Sequence, residues 1–454
     1  MKYLKEYPKY KDSTVEWLRN IPNHWEIVKA KRIFVEASIK GFPDEELLAA
    51  TQSKGVIPKS LYEKTTVTAT KNFETLKLVE KGDFVISLRS FQGGIEYAHY
   101  RGIISPAYTI LKPQEGVIHK YYRYLLKSKR YISGLTLLVT GIREGQNIDT
   151  SKFKDSYLPL LPKQEQTTIA NFLDYKTEKI NRFIKKKKQL IKLLNEQKAA
   201  IINQAVTKGL DPNTKMKDSC IEWLGEIPEH WEIIKLTGVC SFVRGNSSFK
   251  KDELLSNGNY VALQYGKTYK VDEVGENFEF YVNDEFYKVS QVVNYGDVII
   301  ISTSETIEDL GHSVFYNRND LGLLGGEQLL LKPNSEMVDG KYLCYSSKVF
   351  TKELQKYATG VKVFRFNIND LKTIYTSIPP IQEQKQIVKY IETESNKIDK
   401  TISTIEKEIT LVEEYKTALI AEAVTGKIDV RDFKLPQEET PLAMVAEEAA
   451  HYNK

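Results

Sequence analysis

Cysteine is scarce in this chain. Cys220, Cys240 and Cys344 are far apart and odd in number, so they form neither a disulfide framework nor a paired metal knuckle. Ordinary thiols in a reducing, cytoplasmic setting are the expectation. Histidine is equally sparse, with six residues and no HExxH or other ligand spacing. No GxxxxGK[ST] loop is present, which excludes a nucleotide-driven motor of that type. Nor does a GxGxxG follow a strand pattern, and no pair of carboxylates stands out for acid–base work. Pro379-Pro380 lacks the flanking Asn or Asp and aromatic residue that would hold a flipped base. No apolar run approaches the roughly 20 residues that span a bilayer, and the N-terminus lacks a signal-peptide core. The net charge of +5 is mild, so it permits a polyanionic partner without demanding one. At 454 residues the chain has room for two or three domains.

What the chain does have, it has twice. KDSTVEWLRNIPNHWEIVK at 11–29 returns as KDSCIEWLGEIPEHWEIIK at 217–235, and the two copies hold all four tryptophans. His24 and His230 recur beside Trp25 and Trp231, a pattern that reads as packing and hydrogen bonding at a module edge rather than catalysis. The repeat continues through Gly82-Asp83 and Gly296-Asp297, each followed by a β-branched strand pattern. Lys112-Pro113 and Lys332-Pro333 each close another strand, and short helices are expected at 120–125 and 341–345. Thr140-Gly141 with Asn147-Ile148 matches Thr359-Gly360 with Asn367-Ile368. Between these anchors, residues 36–80 and 244–290 share little. Two modules with one frame and private inserts suit a chain that reads two different things, and such pseudo-twofold symmetry matches that of double-stranded DNA.

Each module runs through proline into a stretch of about forty residues without proline or glycine, starting at Pro162 and Pro380. The apolar spacing is a heptad. One seam row of the first helix is Leu173, Ile180, Lys187, Leu194, Ile201, and the other is Thr177, Ile184, Ile191, Lys198, Ala205. The second helix repeats this as Ile391, Ile398, Ile405, Val412, Leu419 and Ser395, Ile402, Ile409, Lys416, Ala423. The first helix is basic and the second leans acidic, which favours pairing with each other. Forty residues give about 60 Å of helix. The polar segment 427–454 has no seam and reads as a loosely ordered tail.

Candidate nucleic-acid contacts sit after the Gly-Asp strands. Arg89, Ser90, Phe91 and Gln92 follow the first, and arginine and glutamine suit guanine and adenine edges. Glycines at 93 and 94 allow close backbone approach; an ordinary solvated loop is the other reading. Ser304 stands at the equivalent place in a more acidic segment. Arg143, Gln146 and Asn147, with Lys362, Arg365 and Asn367, form a second equivalent pair of segments with the residue types to reach phosphates or bases, against the reading that they make no such contact. Arg101, Arg123, Lys127, Lys129 and Arg130 read as phosphate contacts if DNA binds.

The doubled W-E-x-x-K, G-D-x-x-I-S, T-G…N-I and P-x-x-E-Q frame resembles the specificity subunit of type I restriction–modification systems, over about 11–426. The first helix is unusually basic and the second Gly-Asp strand has one extra isoleucine. The resemblance implies an α/β (α+β) fold with two target recognition domains, 1–161 and 209–378. Two antiparallel coiled-coil helices, 162–208 and 379–426, would set them apart. It implies a non-catalytic chain that binds no cofactor and no membrane and reads a bipartite double-stranded DNA target. The partners implied are two methyltransferase subunits that use S-adenosylmethionine to modify adenine N6. Two motor-nuclease subunits that use ATP and Mg complete the set. Arg89→Ala is expected to weaken recognition of one half-site only. The other reading is a structural coiled-coil protein without sequence-specific DNA binding.

Overall fold

Gly-Asp turns, tryptophan motifs and helix starts, which the sequence repeats, each turn out to be half of a contact in a computed structural model of the chain. The structure describes residues 5–62, 72–88, 90–135, 139–140, 147–360 and 362–436. It divides into two units, 1–187 with 406–454, and 188–405. The first unit is therefore discontinuous in sequence.

In the first unit β1 (Glu26–Lys29) pairs antiparallel with β6 (Tyr157–Leu160). A four-stranded antiparallel sheet runs β2 (Phe34–Ala37), β5 (Thr109–Pro113), β3 (Phe84–Ile86), β4 (Glu96–Tyr97). Helix α1 (His119–Leu125) covers it, and its Tyr121, Tyr122 and Leu125 are buried. In the second unit β7 (Glu232–Lys235) pairs with β13 (Tyr375–Ile378). The matching sheet is β8 (Cys240–Arg244), β12 (Gln328–Pro333), β10 (Val298–Ile301), β11 (Ser313–Tyr316), β9 (Glu273–Val274).

The Gly-Asp and Lys-Pro signatures explain each other. Gly82 (φ +102°) and Gly296 (φ +89°) make left-handed turns that glycine adopts without Cβ cost. Asp83 accepts from Glu80 N, and Asp297 from Asn294 N, both at 2.9 Å. Burial pushes both carboxyls above the ordinary aspartate range. Lys112 and Lys332, on the neighbouring strands, stand 3.7 Å from Asp83 and Asp297 and partly offset that cost.

The helix expected at 341–345 is α3 (Gly340–Leu354), 15 residues long. Asp339 caps it by accepting from Lys341 N and Tyr342 N, and buried residues continue at helical spacing to Leu354. Its counterpart α1 stops early because Ser128 caps a new short helix, Lys129–Gly134.

The long helices are α2 (Lys163–Lys208, 46 residues) and α4 (Ile381–Val424, 44 residues). Every seam residue of α2 is buried or half-buried, including Leu173, Ile180, Ile184, Ile191, Leu194 and Ile201, while all other residues at 178–200 are exposed. The α4 rows Ile391, Ile398, Ile402, Ile405, Ile409, Val412 and Leu419 are likewise buried or half-buried. Within the first unit Lys187 pairs with Glu408 at 2.8 Å, and Lys416 donates to Asn181 at 2.7 Å. Within the second unit Lys198 meets Asp399 at 2.8 Å. In the first unit the partner number falls from 416 to 408 as α2 advances from 181 to 187, so the helices run antiparallel there.

Each helix starts on one tryptophan knot and ends on the other. At the start of α2, Glu165 accepts from Trp25 Nε1 (3.0 Å) and Tyr7 Oη (2.6 Å) and bonds His24 (2.8 Å). At the start of α4, Glu383 accepts from Trp231 Nε1 (3.0 Å) and bonds His230 (2.8 Å). Gln166 and Gln384 each accept from a backbone N–H, of Ile118 and Asp339, and donate to Leu161 O and Pro379 O, all at 2.8 Å. The P-x-x-E-Q signature thus locks helix start to sheet module. At the far ends, Gly209 (φ +73°) lies against Trp231, and Gly426 (φ +69°) against Pro22 and Trp25.

Residues 427–436 depart from the expected loose tail. Ile428 and Val430 are buried in the first unit's core, Phe433 packs on Phe172 at 5.2 Å, and Asp429 N donates to Lys5 O. Two apolar residues spaced by two and one aromatic suffice to seat a segment whose composition is otherwise polar. The remainder of that tail, 437–454, lies outside the described residues.

Candidate nucleic-acid interface

In each unit the segment after the Gly-Asp strand meets the segment after the T-G signature. In the first unit the short helix Ser90–Gly93 lies beside the strand Asn147–Ile148, which pairs with Val139–Thr140. In the second, Thr303–Ser304 pairs antiparallel with Phe364–Arg365. The two pairs of candidate segments, separate in sequence, therefore form one edge per unit.

Gln92 is exposed on the first edge. Arg89, Arg143 and Gln146 lie outside the described residues, as do the side chains of Phe91 and Asn147. Ser90 turns inward: it is fully buried and its hydroxyl accepts from Ser87 N at 2.8 Å. Ser304 is also buried, and its hydroxyl accepts from Thr306 N at 3.2 Å. Both hydroxyls accept from turn amides, a common use of serine at such positions, and both are buried where Gln92 is exposed. Lys362 and Arg365 are exposed on the second edge. Asn367 spends its side chain capping the helix Ile368–Leu371.

Arg101 stands apart from these edges. Its guanidinium is paired with Glu45 and Glu80 and lies over Phe42. Arg123 is likewise paired with Asp174 and stacked on Tyr124. Two carboxylates beside the Arg101 guanidinium, and one carboxylate with an aromatic face against that of Arg123, leave little positive field for a phosphate, so both read first as structural. Lys129 is exposed on its helix.

The private inserts supply edge residues that sequence reasoning missed. In the first unit the hairpin Leu48–Thr51 with Gly55–Pro58 brings exposed Gln52 next to Gly93, and Ser53 and Lys54 of the same turn are exposed. In the second, Tyr265 Oη donates to Thr303 O at 2.9 Å and stacks on Tyr269, with Lys270 exposed beyond. An open cleft of 770 Å³ there is bordered by Tyr269, Lys270, Asp309, His312 and Lys348. Polar glycine-bearing turns, QSKG and YGKTYK, were the only signal of either in the sequence.

Among the described residues no group of His, Cys, Asp and Glu could hold a metal ion. Burial pushes the Cys240 and Cys344 thiols up to about 12, far from nucleophilic. Among the described residues no helix is long and apolar enough to cross a membrane.

Two versions of one helix-and-sheet unit, each with an exposed polar edge and a share of both long helices, define a duplicated recognition scaffold. The sequence profile of the type I restriction modification DNA specificity domain matches residues 22–193 and 228–411, and the chain belongs to that family. Similar chains include the specificity subunit of the type I restriction enzyme MjaVIII of Methanocaldococcus jannaschii. It is 26% identical over 367 residues, covering 78% of this chain and 81% of that one. The EcoKI specificity subunit of Escherichia coli is 22% identical over 211 residues, 45% of this chain and 44% of its own length. A chain solved in work on complex assembly and conformational transition of the type I restriction–modification system shares the fold. Its TM-score is 0.66 at 14% identity, with 90% of this chain and 99% of that chain covered.

Proposed function

We propose that this chain is the non-catalytic DNA specificity subunit of a type I restriction–modification complex. Each unit reads one half of a bipartite double-stranded DNA target through its convergent edge. The paired helices fix the spacing of the half-sites and dock two methyltransferase subunits. Those subunits would use S-adenosylmethionine to methylate adenine N6, and two motor-nuclease subunits would use ATP and Mg for restriction. The observation that carries this reading is the convergence, in both units, of the two candidate segments onto one edge built beside a non-repeated insert. A frame held constant with a private edge on each copy is what two different half-sites require. A purely structural coiled-coil protein has no use for such edges.

Co-expression with candidate methyltransferase subunits, followed by methyladenine mapping of host DNA, tests this. A split motif with an unread spacer is expected. Readers on one face of B-DNA put half-site centres roughly 10 bp apart. A contiguous motif, or no methylation with an intact complex, refutes the reading.

A further inference from the structure

The 51–55 turn and the Ser90–Gly93 helix are distant in sequence, yet one cation holds both. Lys127 Nζ donates to Gly93 O at 2.7 Å, to Gln52 O at 3.1 Å and to the Glu96 carboxylate at 2.8 Å. Three acceptors use all three N–H bonds of an ammonium. The anchoring Glu96 is 1% exposed, and the lysine side chain is 25% exposed.

The backbone is shaped for this approach. Gly94 has φ +79°, and a Cβ there would stand 2.4 Å from Leu126 O and 3.2 Å from Lys127 Cδ. A Cβ on Gly93 would stand 2.9 Å from Gln52 Cγ. Ile95 N donates to Leu126 O at 3.3 Å. The two glycines that sequence alone offered for close approach to a ligand instead let the chain pass close over its own Leu126–Lys127 and Gln52. A buried ion pair is a poor source of net stability, since apolar residues of the same volume serve as well. What three fixed acceptors around one cation do supply is a fixed relative position of the segments they belong to.

We propose that Lys127, seated on Glu96, is the positioning residue of the first unit's reading edge. It locks the 51–55 turn and the Ser90–Gly93 helix into one surface, so that recognition of one half-site depends on a residue that touches no base. This rests on the DNA-reading function proposed above. The second unit solves the same problem with other groups: Tyr265 Oη on Thr303 O, and Gln328 Nε2 on Leu263 O at 2.7 Å. Its edge is therefore independent of Lys127.

The test uses the full chain with its methyltransferase subunits and the variants Lys127→Met, Lys127→Arg and Glu96→Gln. For Lys127→Met, methyladenine mapping is expected to show roughly tenfold weaker discrimination at one half-site, with the other half-site and the spacer unchanged. Lys127→Arg restores part of it. Hydrogen exchange on the purified chain is expected to speed up together at 51–55 and 90–95, while 303–304 and 364–365 keep wild-type rates. Two half-sites read as strictly as in wild type, with unchanged exchange, overturn the proposal. Equal weakening at both half-sites with wild-type exchange also overturns it, since that marks a phosphate contact. If Lys127→Met does not fold, Glu96→Gln, which keeps shape and one acceptor, carries the same two readouts. If the wild-type complex methylates no split motif, the DNA-reading function falls. The exchange rates at the two segments then still decide whether Lys127 couples them.

Discussion

At the scale of single residues, the two carboxylates of the helix starts hold the tryptophan motifs of the shared frame in place. Glu165 serves a buried indole, a buried phenol and an imidazole, whereas Glu383 serves an indole and an imidazole and is more exposed. Removing an acceptor strands its donors, and the stranded desolvation is the larger part of the loss. Glu165→Ala is expected to cost about 2–4 kcal/mol and Glu383→Ala about 1–2 kcal/mol in chemical unfolding. Equal losses would show that the Tyr7 bond contributes nothing. Glu96 gives a pH prediction. Burial pushes its carboxyl from 4.5 to about 7, against the pull of Lys127, the charged group that faces it. Between those values the native protein holds more of this proton than the unfolded chain does. This contribution is therefore full below about pH 4.5 and lost as pH rises through about 7. Glu96→Gln should flatten that loss in unfolding scans from pH 5 to pH 8; an unchanged slope would exclude Glu96 as its source.

At the scale of elements, the seam divides stability unequally. Leu173 is fully buried among residues of both long helices in the first unit. Truncation to alanine there is expected to cost about 2–5 kcal/mol. Lys198 and Asp399 form an ion pair whose members are 24% and 50% exposed. Lys198→Ala is expected to cost below about 1 kcal/mol, because solvent screens the pair. Thermal melts of the two variants compare them directly, and the lysine change costing more would put the seam's energy in its charges. The heptad spacing was legible because it is a local pattern with one geometric meaning. The length of α3 was not read correctly, because its second half is amphipathic without carrying any repeat signal.

At the scale of the whole molecule, continuity of the two helices makes the spacing prediction direct. Seven residues inserted into both α2 and α4, in register, keep the seam and should lengthen the spacer of the methylated motif. An unchanged spacer sinks the role of the helices as a ruler. The first unit also depends on the far end of the chain. A stop after Gly426 removes Ile428, Val430 and Phe433 from its core, and should lower the melting temperature of the chain measurably. Retention of the wild-type value would mean that the 427–436 segment only rests on the surface.

The sequence by itself determined the duplication, the paired seams and the family resemblance. These rest on patterns within a few turns of chain: a glycine before an aspartate, a glutamate after a proline, apolar residues at steps of three and four. Only the tertiary structure decided what the charged and small residues do. Arg101 is bound by two carboxylates, Ser90 and Ser304 cap turns, and Gly94 clears a path for Leu126 and Lys127. The reason is physical. A charge or a hydroxyl takes its role from whichever partner the fold sets within about 3 Å. For Arg101 and Gly94 those partners lie tens of residues away along the chain, and for the two serines the local turn that supplies the partner amide forms only where the fold bends the chain.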